Sequence, residues 1–98
     1  MTNIVDWRSG SAQRRREIGR RIATWRRHLS MSQAEMAARY GVRKPTWSHY
    51  ESGRNIFGDA LMMAFSKGEK LSLDAIFRGQ CRTARERLML GNPQEGSS

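Results

Sequence analysis

Residues 32–53 read SQAEMAARYGVRKPTWSHYESG, and the way this stretch folds decides how the rest of the chain is organised. Ser32 and Glu35 make an S-x-x-E capping box, in which each side chain satisfies a backbone N–H left free at a helix start. The pattern predicts a helix over 33–40 with Met36, Ala37 and Tyr40 turned inward. Gly41 supplies the left-handed conformation that closes a helix, and Val42 anchors the turn in the core. A second helix follows. Proline lacks an N–H and fixes its own φ, so Pro45 suits the first helical position, with Lys44 held extended before it. Trp47 and Tyr50, three apart, share the buried side. Thr46, Ser48, His49 and Ser52 face outward or flank it, and Gly53 ends the helix.

The spacing meets every requirement of a helix-turn-helix. Ala37 is small enough to let the second helix approach the first, and Gly41 makes the tight turn four residues later. Val42 plugs that turn, while Trp47 and Tyr50 hold the second helix to the body. An ordinary αα-hairpin explains the same core positions but not a cationic, hydroxyl-rich outer face.

Outside this unit the chain reads as further short helices. Residues 1–13 form a loose arm in which Ile4, Val5 and Trp7 can dock locally. From Arg14, Ile18, Ile22, Trp25 and Leu29 recur at helical spacing, leaving Arg15, Arg16, Arg20, Arg26 and Arg27 mainly on the remaining surface. His28 adds a favourable charge at that helix's end. A helix over about 58–67 buries Leu61, Met62 and Phe65, and Gly68 breaks it. Ser72 caps a helix over 73–78 that buries Leu73, Ile76 and Phe77. A helical run over 80–90 ends in Leu88-Met89-Leu90, and the polar tail GNPQEGSS is expected to be disordered. No segment alternates with a strand period, so the fold class is all-α: one domain of five or six short helices.

Charge narrows the function. The 98 residues carry 18 Lys and Arg against 9 Asp and Glu, a net charge of +9. Residues 1–31 hold eight arginines and only two acids, so the field is strongest at the N-terminal end. Such a surface suits a polyanion, either nucleic acid or an anionic membrane face. No apolar run approaches the roughly 20 residues that span a bilayer, and the N-terminus lacks the apolar stretch of a secretory signal. The lone Cys81 excludes an internal disulfide and a multi-cysteine zinc site. There is no Gly-rich phosphate loop, no His-Glu-x-x-His and no carboxylate cluster beside a histidine. Neither catalysis nor a metal or cofactor is expected.

Five pieces, I-G-R-R-I (18–22), M-S-Q-A-E-M-A (31–37), Y-G-V (40–42), T-W-S-H-Y-E-S-G-R (46–54) and L-S-L-D-A-I-F-R-G (71–79), resemble the Cro/C1-type, or XRE, helix-turn-helix family of phage and bacterial regulators. The resemblance covers residues 18–79 in the family's order and spacing. It implies a lambda-repressor-like five-helix domain over 14–79, with the helix-turn-helix at 32–53 and an extension at 80–98. It also implies a cytoplasmic DNA-binding regulator, most often a repressor, that places helix three in the major groove as a homodimer on an inverted repeat. By motif position, Gln33 resembles the family's glutamine that touches the DNA backbone and braces a base-reading side chain. Arg43, Lys44, Pro45, Thr46 and His49 occupy positions that read bases or adjoining phosphates, with Ser48 on the same side. Ser52, Arg54 and Asn55 match the loop that grips phosphate. Arg43 stands where the family often has a capping Ser or Thr, and Ser66 and Glu69 stand at places usually apolar.

Side-chain chemistry agrees with these positions. Lys44 donates to guanine O6 or N7, and Thr46 donates, accepts, or touches a thymine methyl. His49 donates or accepts according to its tautomer, so its target base stays open. The cluster Arg14, Arg15, Arg16, Arg20 and Arg21 has two readings, an extended DNA-backbone footprint or a solvated helix face. Two rival functions remain. One is an antitoxin or adaptor that uses the same DNA-binding unit and binds a protein through 80–98. The other is a single-stranded nucleic-acid binder, which needs exposed stacking aromatics. The apolar Leu88-Met89-Leu90, with helix five, is the expected dimer surface.

Overall fold

A serine decides where the chain becomes helical. The Ser11 hydroxyl accepts from the Arg14 backbone N–H at 3.1 Å, and helix α1 runs Ala12–His28. It begins two residues before the expected Arg14, so residues 12 and 13 belong to the helix and not to a loose arm. The computed structural model describes residues 11–90; the rest of the arm, with Ile4, Val5 and Trp7, and the tail past residue 90 lie outside the described residues.

Helix α2, Gln33–Arg39, carries both halves of the capping box: Glu35 N–H donates to Ser32 Oγ at 3.0 Å, and Ser32 N–H to Glu35 Oε1 at 2.8 Å. Gly41, at φ 71°, turns the chain so that Val42 N–H reaches back to the Ala37 carbonyl at 2.9 Å. Helix α3 is Lys44–Ser52, one residue longer at its start than expected. The Arg43 carbonyl accepts from Trp47 N–H at 3.0 Å, which makes Arg43 the cap, Lys44 the first helical residue and Pro45 the second. Proline is tolerated there because the first four N–H groups of a helix have no intrahelical partner.

Helix α4, Asp59–Glu69, runs two residues past the expected end, and Gly68 lies inside it instead of breaking it. A Cβ at position 68 would stand 2.6 Å from the Tyr40 hydroxyl, so the glycine admits that side chain. Helix α5, Leu73–Arg78, starts at the expected Ser72 cap. Leu73 is nevertheless 37% exposed, while Ala75, Ile76 and Phe77 form the inward arc of this short helix. The expected run over 80–90 is instead a single turn, α6 (Ala84–Arg87), and a 3-10 turn, Leu88–Leu90. The helix starts late because Thr83 caps it, its hydroxyl accepting from Glu86 N–H at 3.0 Å, while the Glu86 carboxylate accepts from the N–H groups of Arg82 and Ser72, at 2.9 and 2.8 Å. The described residues are otherwise turn and loop, with no strand among them, so the fold is all-α.

The core is aromatic at its centre. Trp47, Phe57 and Phe65 are buried and in mutual ring contact, with Tyr40 and Tyr50 at the rim. Met89 is fully buried, which overturns the expectation that Leu88-Met89-Leu90 is apolar surface; only Leu88 is exposed.

Charged groups stitch the periphery. Glu69, 4% exposed, accepts from Trp25 Nε1 at 3.0 Å, from Arg39 at 3.0 Å and from the Tyr40 hydroxyl. Burial pushes its carboxyl up, but these three donors outweigh that and hold it below the usual carboxylate range. Arg21, expected on the cationic surface, is buried. Its guanidinium donates to the Ile76 and Phe77 carbonyls, both at 2.9 Å, and so caps the C-terminal end of α5.

Candidate nucleic-acid interface

Three devices fix the orientation of α3. The first is close approach: a Cβ on Gly19 would stand 2.4 Å from the Tyr50 carbonyl oxygen and 2.5 Å from that of Glu51. Only glycine lets α1 come this near the α3 backbone. The second is Glu51, a residue the sequence reading did not single out. Its carboxylate accepts from Arg26 at 2.7 and 3.1 Å, from Gln33 Nε2 at 2.9 Å and from Trp47 Nε1 at 2.7 Å. One side chain thus ties α1, the start of α2 and α3 together. Burial raises the Glu51 carboxyl, yet the hydrogen bonds from Arg26, Gln33 and Trp47 bring it below the usual range. The third is Arg15, whose Nε donates to the Gly53 carbonyl at 3.2 Å where α3 ends.

This network corrects two expectations. Arg26 is an internal ion-pair partner, also donating to the Met31 carbonyl at 2.8 Å, and is not a free surface charge. Arg15 braces the end of α3, so the arginine run is not uniformly solvated; Arg14, Arg16 and Arg20 are exposed beside it. Arg16 packs its backbone and Cγ against Gly53, where a Cβ would come within 2.7 Å. The cationic end of α1 therefore lies against the C-terminal end of α3.

The outward side of α3 gathers most of the predicted residues. Pro45, His49 and Ser52, spaced by four and three, lie on the side opposite the fully buried Trp47. Thr46 and Ser48 flank them and, like His49, are half-buried, whereas Pro45 and Ser52 are exposed. Arg43 and Lys44 are exposed at the N-terminal end, where the Arg43 side chain makes no capping hydrogen bond. At the other end Gly53, at φ 85°, turns the chain back, so that Arg54 and Asn55 N–H groups both donate to the His49 carbonyl, at 3.0 and 3.2 Å. Ser52 Oγ donates to the same carbonyl at 3.2 Å, and Arg54 approaches His49 Nε2 at 3.1 Å. Gln33 is turned toward the body, its amide donating to the Glu51 carboxylate and not to a base-reading side chain.

Glu51, Glu69 and Arg21 share a signal that was present in the sequence. Arg21 falls three after Ile18, Glu51 four after Trp47 and Glu69 four after Phe65, so each sits on its helix's buried stripe. A charged group at such a position implies a partner inside. Among the described residues no group of three or more His, Cys, Asp or Glu side chains is placed to hold a metal ion, and no helix is long and apolar enough to cross a membrane. Residues 17–64 match the family model of a helix-turn-helix domain. No curated protein and no solved structure matches the chain.

Proposed function

We propose that this helix-turn-helix chain is a sequence-specific regulator of transcription that binds double-stranded DNA with α3 in the major groove. One observation supports this most strongly: the polar side of α3 is open while Trp47, Phe57 and Phe65 behind it are dry. A duplex reader needs such a rigid polar edge. A single-strand binder needs the opposite arrangement, exposed rings on which bases stack.

In this reading Lys44, Thr46, Ser48 and His49 meet base edges, and Pro45 adds apolar contact beside them. Arg43 and Asn55 hold the flanking phosphates, joined by Arg14 and Arg16 from the end of α1, while Gln33 braces α3 through Glu51, Ser52 donates to the His49 carbonyl and Arg54 stands beside His49. Arg15 acts one step back, steadying the end of α3 through Gly53. Two copies on an inverted repeat, with half-sites roughly 34 Å apart, would occupy an operator and repress. With Met89 built into the core, the dimer surface expected over helix five and Leu88-Met89-Leu90 keeps Leu73 and Leu88 as its exposed apolar residues. No specific observation favours a protein adaptor acting through 80–98, because Glu86 and Met89 fold its first part onto the body.

Selection of bound duplexes from a random DNA pool tests the reading. A recovered consensus with two-fold symmetry is the expected result. Recovery of unrelated sequences with affinity set by length alone would reduce the protein to a nonspecific polycation.

A further inference from the structure

The contact between Arg54 and His49 decides a question of chemistry that the residue types leave open. A neutral imidazole has one donor and one acceptor nitrogen, whereas a guanidinium has only donors. Arg54 NH1 lies 3.1 Å from His49 Nε2, so Nε2 accepts and the ring proton belongs on Nδ1. The geometry is held from the backbone as well. Gly53 reverses the chain, and Arg54 N–H donates to the His49 carbonyl at 3.0 Å, so the two residues are joined twice.

Resting on the DNA-binding reading above, we propose that Arg54 and His49 act as one recognition unit. Arg54 sets His49 as an Nδ1–H donor, and the pair presents donors alone to the groove. The unit therefore reads a guanine, whose major-groove edge is two adjacent acceptors, O6 and N7. Cytosine offers that groove only its N4 donor and is rejected, because donor would face donor. Arg54 is thus a specificity-determining residue, and its effect on base choice is exerted largely through His49. This separates it from a simple phosphate grip, whose removal weakens all sequences alike.

Two measurements on the full chain test the unit. Nitrogen-15 NMR of the free protein, above the range in which imidazole titrates, reads the tautomer directly. The expected spectrum has Nδ1 protonated in the wild type, with the proton moving toward Nε2 in Arg54→Met. An Nε2–H tautomer in the wild type, or one unmoved by the substitution, overturns the proposal without reference to DNA. Duplex selection then compares the wild type, His49→Ala and Arg54→Met. Both variants are expected to lose the same guanine preference, about tenfold in the wild type. Retention of that guanine by Arg54→Met overturns the recognition unit alone. A wild type that selects nothing overturns the DNA-binding reading, and the base-reading role with it, while the tautomer measurement still judges the contact.

Discussion

Replacing Gly19 by alanine sets two effects of opposite sign against each other. In a helix interior alanine is favoured over glycine by about 1 kcal/mol, so propensity alone predicts a more stable protein. Packing opposes it. The new methyl would stand 2.4 and 2.5 Å from the Tyr50 and Glu51 carbonyl oxygens, nearly 1 Å inside ordinary contact. Both obstacles are backbone atoms of α3, which no rotamer change can move. Overpacking typically costs 1–3 kcal/mol, and this clash belongs near the upper end, about 3 kcal/mol. The net is a loss of about 2 kcal/mol. For a domain near 100 residues each kcal/mol moves Tm by about 4–8 °C, so the expected fall is roughly 8–16 °C by calorimetry. DNA affinity should fall beyond what unfolding explains, because the displaced element is α3. A Tm equal to or above the wild type would refute the close approach, since propensity would then have won unopposed. Gly58→Ser is the control: a Cβ there meets nothing within 4 Å, and serine replaces glycine at the cap of α4. It should raise stability by a few tenths of a kcal/mol.

Three further outcomes follow from named contacts. Glu51→Gln removes the charge facing Arg26, whose side chain is 12% exposed, and should cost about 3 kcal/mol in urea unfolding, with DNA binding impaired because α2 and α3 lose their common tie. Arg43→Ser supplies the missing side-chain cap of α3 and should stabilise the fold by about 1 kcal/mol, while lowering DNA affinity and flattening its salt dependence by about one phosphate contact. Acid should unfold the protein. The carboxyls of Glu51, Glu69 and Glu86 lie below the ordinary value of 4.5 in the fold, Glu86 chiefly through the backbone N–H groups of Arg82 and Ser72. In the unfolded chain they return to that value, so between the two the unfolded state binds more protons. Their stabilisation is complete above pH 4.5 and disappears as pH drops through the folded values, a loss readable by denaturation at stepped pH. Stability unchanged down to the lowest of these values would count against the hydrogen-bond assignments.

The sequence made the helix-turn-helix legible because its signals are local. The Ser32–Glu35 box, the Gly41 turn and the Ser72 cap each act over three or four residues and appear as read. What escaped depended on distant partners. Gly68 looked like a helix breaker because its reason, the Tyr40 hydroxyl, is 28 positions away. Met89 looked superficial because α1, against which its turn packs, is remote in sequence. Arg21, Arg26, Glu51 and Glu69 were hidden by residue type. Charge argued for solvent, although the helical period had placed Arg21, Glu51 and Glu69 on the inward stripe. For the candidate interface, motif position named the residues, and the fold gathers most of them on the outward side of α3. The inward turn of Gln33 and the pairing of Arg54 with His49 were not readable from it.

Amide NMR of the chain titrated with its selected duplex, against a scrambled duplex at the same salt, bears most directly on whether α3 is the reading element. The account predicts that the selected duplex shifts residues 43–49 and 52–55 far more than the scrambled one, with Trp47 and Trp25 side chains remaining dry. Equal shifts with both duplexes, or shifts gathered around Met63 and Leu73 while α3 stays unchanged, would contradict it.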